Sequence, residues 1–152
     1  MNIPFKNSIL SWVMRKRMHQ IDLFLKYPFL VQNELLLSLL EKAKNTVFGK
    51  EYKFSSIKSY TDFRKSVPIK TYEEFFPYIQ RLRKGEEDIL WPGEIKWFAK
   101  SAGTTNAKSK FIPISKESLE DCHYKAGKDM LAIYCNNHPN TAIFDGKGLM
   151  LG

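Results

Sequence analysis

Residues 97–114 read WFAKSAGTTNAKSKFIPI, a polar stretch between two apolar runs. The apolar runs, Trp97-Phe98-Ala99 and Phe111-Ile112-Pro113-Ile114, are short and rich in aromatic and β-branched residues. Runs of this kind, bounded by turn-forming residues, predict β-strands. Residues 100–110 between them hold hydroxyl side chains, a glycine and lysines. The stretch therefore predicts two strands joined by a polar loop.

The loop carries the donors that phosphate binding requires. Gly103 reaches positive φ angles, at which successive backbone N–H groups converge on one anion. Lys108 or Lys110 adds positive charge, which favours a polyphosphate over a neutral ligand. The hydroxyl donors are Ser101, Thr104 and Thr105. Exposed turns in general have the same residue types, so composition alone leaves phosphate binding and an ordinary turn as alternatives.

The loop does not have the Walker pattern of P-loop proteins. That pattern needs a glycine directly before a Lys-Ser/Thr pair that opens a helix. Here Ala107 precedes Lys108, and a strand is predicted after the loop.

A longer series of motifs around the loop resembles a known family. In chain order the motifs are VPIKTYEEFFPYIQR at residues 67–81, Gly85-Glu86, residues 101–110 and Phe111-Ile112-Pro113. In this order and at this spacing they resemble the amino-terminal part of the Gretchen Hagen auxin-responsive family. Members of that family are acyl acid amido synthetases within the adenylate-forming superfamily of acyl-CoA synthetases and luciferase. The likeness extends from about Leu39 to Gly152.

The resemblance implies a reaction and its reactants. ATP and Mg²⁺ would be the cofactors, and a small carboxylic acid and an amine or amino acid the substrates. The carboxylate would attack the α-phosphate of ATP, releasing pyrophosphate and leaving an acyl-adenylate, and the acyl group would then pass to the amine.

The resemblance also implies the residues that bind the nucleotide phosphates. Carried over position by position, they are Ser101, Ala102, Gly103, Thr104, Thr105 and Lys110. The sequence departs from the family pattern at Ala102, where a second serine is usual, and at Asn106-Ala107, where a small residue and a glycine are usual. The hydroxyl missing at Ala102 is expected to lower phosphate affinity without abolishing the role.

The expected fold class is α/β in the mixed α+β sense. Amino-terminal helices would pack on part of a β-sheet, as a fragment of the large adenylate-forming domain. We expect leading amphipathic helices over residues 1–46 and the incomplete start of the nucleotide-binding domain over residues 47–152. The second half of that domain and its carboxyl-terminal lid would be absent. No catalytic residue and no metal ligand is therefore assigned within the chain, which is expected to have no turnover by itself.

Helical periodicity predicts where the main helices lie. The first spans residues 1–26 with Ser8 as its cap, and the second follows Tyr27-Pro28 with Asn33 as a candidate cap and ends near Asn45. Thr71 caps a third helix, in which Pro77 is expected to cause a kink or a break. Ser115 caps a long fourth helix over residues 116–135, which is expected to pack on the sheet. Residues 141–152 predict a strand, an Asp-Gly turn and a second strand.

Composition bounds the alternatives. The chain has 152 residues, 43% of them hydrophobic, and a formal net charge of +8. Between Glu41 and Lys70 there are eight basic and three acidic residues, with aromatic residues among them. Such a segment suits a nucleic-acid surface, but the charges are not aligned on one helix face and no nucleic-acid module is evident.

The basic first helix leaves a membrane-surface or interaction module as another alternative. No apolar run has the roughly 20 residues that a membrane span needs.

The cysteines indicate a compartment rather than a site. Cys122 and Cys135 are the only two in the chain. Without a secretion signal, two cysteines predict reduced thiols and a cytoplasmic protein. Together with His123 and His138 they have the composition of a zinc site, but the Cys-x2-Cys spacing of such sites is missing.

Overall fold

The computed structural model of the chain describes residues 6–101 and 109–145. The described residues form two compact units, one within residues 1–28 and 120–152 and the other within residues 29–119. Both helices and strands are present, which confirms the expected mixed α+β class. The division into residues 1–46 and 47–152 remains a prediction.

The first unit is built on two helices. Helix α1, Lys6–Lys26, packs against helix α6, Lys125–Asn137. Arg17 on α1 donates to both carboxylate oxygens of Asp129 on α6, at 2.5 and 3.1 Å. These hydrogen bonds hold the pKa of Asp129 below its usual range. The partner of α6 is thus α1, whereas the sequence had suggested the sheet.

Helix α2, Pro28–Ala43, begins earlier than its predicted cap. Pro28 is its first residue, a position that suits proline because the first N–H groups of a helix have no partner within it. Asn33 lies inside α2 and Ser8 lies inside α1, so neither residue is a cap. The end of α2 at Ala43 is within two residues of the predicted Asn45.

The end of α2 contacts the short helix α3, Val47–Glu51, at very close range. The buried Thr46 hydroxyl donates to the Ala43 carbonyl at 2.8 Å and accepts from the Gly49 N–H at 2.9 Å. A Cβ placed on Gly49 would lie 2.0 Å from the same carbonyl oxygen. Glycine is therefore required where the two helices meet.

Helix α3 also fixes the segment that leads to the sheet. The N–H groups of Val47 and Phe48 donate to the carbonyls of Asp88 and Ile89, at 2.8 and 3.0 Å. Ile89 is 1% exposed and belongs to the core cluster of this unit. The other buried members of the cluster are Leu82 and Ile95. The predicted turn follows at Trp91-Pro92-Gly93, where the Gly93 N–H donates to the Asp88 carboxylate at 2.8 Å.

Three helical elements complete the connection to the loop region. They are a 3-10 turn at Phe54–Ser56, helix α4 at Tyr60–Ser66 and helix α5 at Tyr72–Arg83. Helix α5 continues through Pro77, so the predicted break into two helices is wrong, and the alternative of a kink stays a prediction. Proline removes one N–H donor from the ladder, and here the remaining hydrogen bonds and a well-formed start keep the helix whole.

The two predicted strands are present. Strand β1, Trp97–Lys100, pairs antiparallel with strand β2, Phe111–Ile114. In this register Lys100 lies opposite Phe111, and Trp97 lies opposite Ile114. Helix α5 contacts β2. Within the described residues the sheet has these two strands.

The last described segment differs in part from its prediction. Ser115 caps the helical stretch as expected, accepting from the Ser118 N–H at 3.0 Å. The stretch includes a π-helical segment, Ser118–Tyr124, before α6. Residues 143–145 form a turn, in which the Asp145 N–H donates to the Ala142 carbonyl at 2.9 Å, and the strand predicted to begin at residue 141 is not present among the described residues. The predicted second strand falls outside the described residues.

Within residues 6–101 and 109–145, no single helix has the length and apolarity to cross a membrane. Among the described residues one bent pair of helices, α1 and α2 on either side of Tyr27, has the length and the apolar composition of a membrane span.

Replacing Gly49 with alanine is expected to lower the free energy of unfolding by about 1 to 3 kcal/mol, because the new methyl group overlaps the Ala43 carbonyl. Gly127→Ala is the matched control, since nothing lies within 4 Å of the Cβ it would add. The control should raise stability by about 0.5 to 1 kcal/mol through helix propensity. Urea unfolding followed by circular dichroism measures both. Equal effects of the two substitutions would contradict the close approach of α2 and α3.

Candidate phosphate-binding site

The two ends of the 101–110 loop are held together by hydrogen bonds. The Ser101 N–H donates to the Lys110 carbonyl at 2.9 Å. In return the Lys110 N–H donates to the Ser101 Oγ, at 3.0 Å, where a regular ladder would use a backbone carbonyl. The Ser101 hydroxyl thus closes the loop and keeps its own proton available for donation.

Two of the six predicted phosphate-binding residues lie in the described part of the chain. Ser101 and Lys110 are brought together at the neck of the loop. The other four predicted residues, Ala102, Gly103, Thr104 and Thr105, lie outside the described residues, so their role remains a prediction. Lys108 also lies outside them.

The Lys110 side chain rests on the first turn of α5. Its ammonium lies 3.7 Å from the Glu73 Oε1 and 5.0 Å from the centre of the Tyr72 ring. Both charged side chains are well exposed, at 47% for Lys110 and 73% for Glu73. An exposed ion pair of this kind is weak, typically below about 1 kcal/mol. An incoming anion can therefore displace Glu73 from Lys110 at little cost.

The Tyr72 hydroxyl joins α5 to the first residue of β2. It accepts from the Phe111 N–H at 2.9 Å and lies 3.4 Å from the Phe111 carbonyl, to which it donates. A single side chain thus satisfies both backbone groups of the residue that follows Lys110. It ties the carboxyl-terminal end of the loop to the helix.

The position of Tyr72 depends on how α5 begins. The Thr71 hydroxyl accepts from the Glu74 N–H, and the Glu74 carboxylate accepts from the Thr71 N–H, which is a complete capping box. The bond from the Thr71 N–H, 2.6 Å long, is the main cause that holds the pKa of Glu74 below its usual range. This contribution to stability is present when Glu74 is ionised, and it is lost as the pH falls through the lowered pKa.

A cleft of about 860 Å³ opens beside the neck of the loop. Its aromatic lining comes from Tyr72, Phe76 and Phe111, and its cations are Arg83, Lys100 and Lys110. The Arg83 guanidinium lies 4.2 Å from the centre of the Phe111 ring. Glu73 and Ser109 complete the lining. Among the described residues of the lining there are three cations and one carboxylate, a balance that suits an anion.

Helix α5 has a second tyrosine with a long-range contact. The Tyr78 hydroxyl donates to the Glu51 carboxylate of α3 at 2.5 Å. This hydrogen bond raises the pKa of Tyr78 to about 12 and lowers the pKa of Glu51. It binds α5 to α3, whereas Tyr72 binds α5 to the loop.

The sequence did not assign a role at the site to Tyr72, Glu73 or Arg83. The only available signal was their position within the family-like motif of residues 67–81 and directly after it. Their contacts with Lys110 and Phe111 join residues that are 28 to 39 positions apart in the chain, and the hydrogen bond between Tyr72 and Phe111 spans 39 of them. Periodicity and spacing carry no information on such contacts.

The residues considered for zinc do not form a cluster. Among the described residues, no group of three or more His, Cys, Asp or Glu side chains could hold a metal ion. Cys122 is exposed and Cys135 is buried, and both are free thiols.

Comparison with known proteins gives the family. The model of the GH3 family N-terminal domain matches residues 17–151. The chain therefore belongs to the GH3 family, which confirms the resemblance stated from the motifs.

Similar relatives are amido synthetases of plants. The putative indole-3-acetic acid-amido synthetase GH3.9 of Arabidopsis thaliana is 35% identical over 91 residues, which are 59% of this chain and 15% of the relative. Indole-3-acetic acid-amido synthetase GH3.2 of the same plant is 30% identical over 106 residues, 69% of this chain and 19% of the relative. Jasmonoyl--L-amino acid synthetase JAR4 of Nicotiana attenuata is 30% identical over 91 residues, 59% of this chain and 16% of the relative. The chain thus spans less than a fifth of the length of the curated relatives it matches.

Replacing Thr71 with alanine should lower the free energy of unfolding by about 1 kcal/mol, because the Glu74 N–H loses its acceptor. Thr61→Ala is the matched control, since Thr61 is exposed and Ser59, not Thr61, caps its helix. The control should change stability by less than about 0.5 kcal/mol. Urea unfolding compares the two variants, and an equal loss in both would contradict the capping box.

Proposed function

We propose that this chain is the phosphate-binding amino-terminal portion of an ATP-dependent acyl acid amido synthetase. The observation that carries the proposal is the closed neck of the loop. Ser101 and Lys110, at opposite ends of the family's phosphate motif, hydrogen-bond to each other beside a cleft with three cations. Family membership supplies the reaction class, since the matched relatives are amido synthetases.

The loop is the part of the chain that takes the triphosphate of ATP. Its hydroxyl and backbone donors, at Ser101 and at Gly103, Thr104 and Thr105, hold the β- and γ-phosphates. Lys110 adds a positive charge at the neck. Lys100 and Arg83 line the same cleft, and their charge complements a polyanion.

The donors act on the step that forms the acyl-adenylate. The substrate carboxylate attacks the α-phosphate, the bond to the bridging oxygen breaks, and the pyrophosphate leaves with the electron pair. Negative charge grows on the β- and γ-phosphates as this bond breaks, so donors fixed in advance on those groups stabilise the transition state. Mg²⁺, when bound with ATP, would neutralise part of the same charge, and we assign it to no residue of this chain.

The proposed substrates follow from the class of the relatives. They are a small carboxylic acid and an amine or amino acid, and the reaction would take place in the cytoplasm. The residues that select the acid and the amine are not assigned here, because a shared fold does not determine the substrate.

Replacing Lys110 with alanine should weaken binding of inorganic tripolyphosphate to this chain by about tenfold. Loss of a hydrogen bond to a charged group costs about 1.5 kcal/mol or more, and 1.4 kcal/mol corresponds to tenfold. Isothermal titration calorimetry measures the affinity, and ATP should compete for the same site.

Lys58→Ala is the matched control for Lys110→Ala. It removes the same charge from an exposed position just before α4, so the net charge of the two variants is equal. Affinity within about twofold of the unsubstituted chain is expected for it. An equal loss in both variants would show that only overall charge attracts the anion. No binding by the unsubstituted chain would contradict the proposed function.

The 152-residue chain by itself should not exchange pyrophosphate into ATP in the presence of carboxylic acids. By the resemblance, the motifs with which the family contacts adenine, ribose and metal are not among these 152 residues. The measurement is incorporation of labelled pyrophosphate into ATP with a panel of carboxylic acids. Exchange that depends on an acid would contradict the assignment of the chain as a partial site.

A further inference from the structure

The backbone N–H and carbonyl of Phe111 face the edge of β2 that is not paired with β1. In an antiparallel ladder, hydrogen-bonded and non-hydrogen-bonded pairs alternate. The bond from Ser101 to the Lys110 carbonyl marks one hydrogen-bonded position, so the adjacent pair of Lys100 and Phe111 is of the other kind. The N–H and carbonyl of Phe111 therefore point away from β1. The Tyr72 hydroxyl satisfies both of them, at 2.9 and 3.4 Å.

The first turn of α5 thus holds Lys110 in two ways. Tyr72 fixes the backbone directly after Lys110, and its ring lies beneath the ammonium at 5.0 Å. Glu73 lies 3.7 Å from the same ammonium. The capping box at Thr71 fixes the start of the helix and hence the position of both side chains.

We propose that Tyr72 is a positioning residue for the phosphate-binding loop and that Glu73 is an anion that competes with the phosphates for Lys110. The inference rests on the proposed function. Tyr72 anchors the end of the loop at β2, so that Lys110 is ordered before the nucleotide arrives. Glu73 is an internal anion that occupies Lys110 and that the nucleotide phosphates displace.

The two residues have opposite effects on affinity. Without the Tyr72 hydroxyl the end of the loop must be ordered on binding, and the ordering weakens affinity. Without the Glu73 charge the phosphates meet no competing carboxylate and no like charge beside Lys110, so affinity rises. A purely structural role would lower affinity in both variants.

The test is calorimetric titration of inorganic tripolyphosphate into three variants of the 152-residue chain. Tyr72→Phe keeps the ring and removes only the hydroxyl, and it should weaken binding by about fivefold or more, as loss of a net hydrogen bond of about 1 kcal/mol implies. Glu73→Gln should tighten binding by about two- to fivefold, in line with an exposed ion pair.

Tyr78→Phe is the matched control on the same helix. It removes a tyrosine hydroxyl whose hydrogen bond goes to Glu51 on α3 and not to the loop. It should lower the thermal unfolding temperature at least as much as Tyr72→Phe, because a hydrogen bond to a charged group contributes more to stability. It should leave the affinity for tripolyphosphate within about twofold of the unsubstituted chain, because the bond does not involve the loop. This comparison separates loss of positioning from loss of stability.

The outcomes distinguish this inference from the proposed function. If the unsubstituted chain does not bind tripolyphosphate, the proposed function fails and the positioning role fails with it. If it binds and Tyr72→Phe binds as tightly as Tyr78→Phe, only the positioning role of Tyr72 is contradicted. Unchanged or weaker binding by Glu73→Gln contradicts the role of Glu73. Since Glu73 is exposed, Glu73→Gln remains folded and tests the inference even if Tyr72→Phe does not fold.

Discussion

The antiparallel pairing of β1 with β2 is the constraint on which the candidate site depends. The register places Lys100 opposite Phe111, so the two ends of the intervening loop must meet. Ser101 and Lys110 then close the neck with two hydrogen bonds, one of which uses a side chain in place of a carbonyl. The entropy cost of bringing the two ends of the loop together is thus met before any ligand binds.

The strand pair does not stand alone, because helix α5 supports its open edge. Tyr72 satisfies the backbone of Phe111, and the capping box at Thr71 fixes the turn from which Tyr72 projects. Helix α3 binds the backbone of Asp88 and Ile89, in the segment that leads to β1. The hydrogen bonds of Tyr72 to Phe111 thus connect the end of the loop to a helix whose start is set by neighbouring residues.

Local signals account for what the sequence predicted correctly. Thr71 predicts the start of α5, and the runs at 97–99 and 111–114 predict the strands, since in each case the decisive residues are neighbours. The failures arise where a second influence competes. Pro28 starts α2 ahead of Asn33, and α5 continues through Pro77 without the predicted break. Tyr72 could not be assigned to the site from its spacing, because its partner lies 39 residues away. The residue types of the loop left phosphate binding and an ordinary turn as alternatives, and the family-like motifs favoured phosphate binding.

The central claim is that the loop between β1 and β2 receives the phosphates of a nucleotide. The most direct measurement is an amide-proton and nitrogen NMR spectrum of the labelled chain, recorded with increasing inorganic tripolyphosphate. The largest shifts are expected for the amides of residues 101–105 and 110–111. Shifts confined to other residues, such as those of α1 and α6, or no shifts at saturating ligand, would contradict that claim.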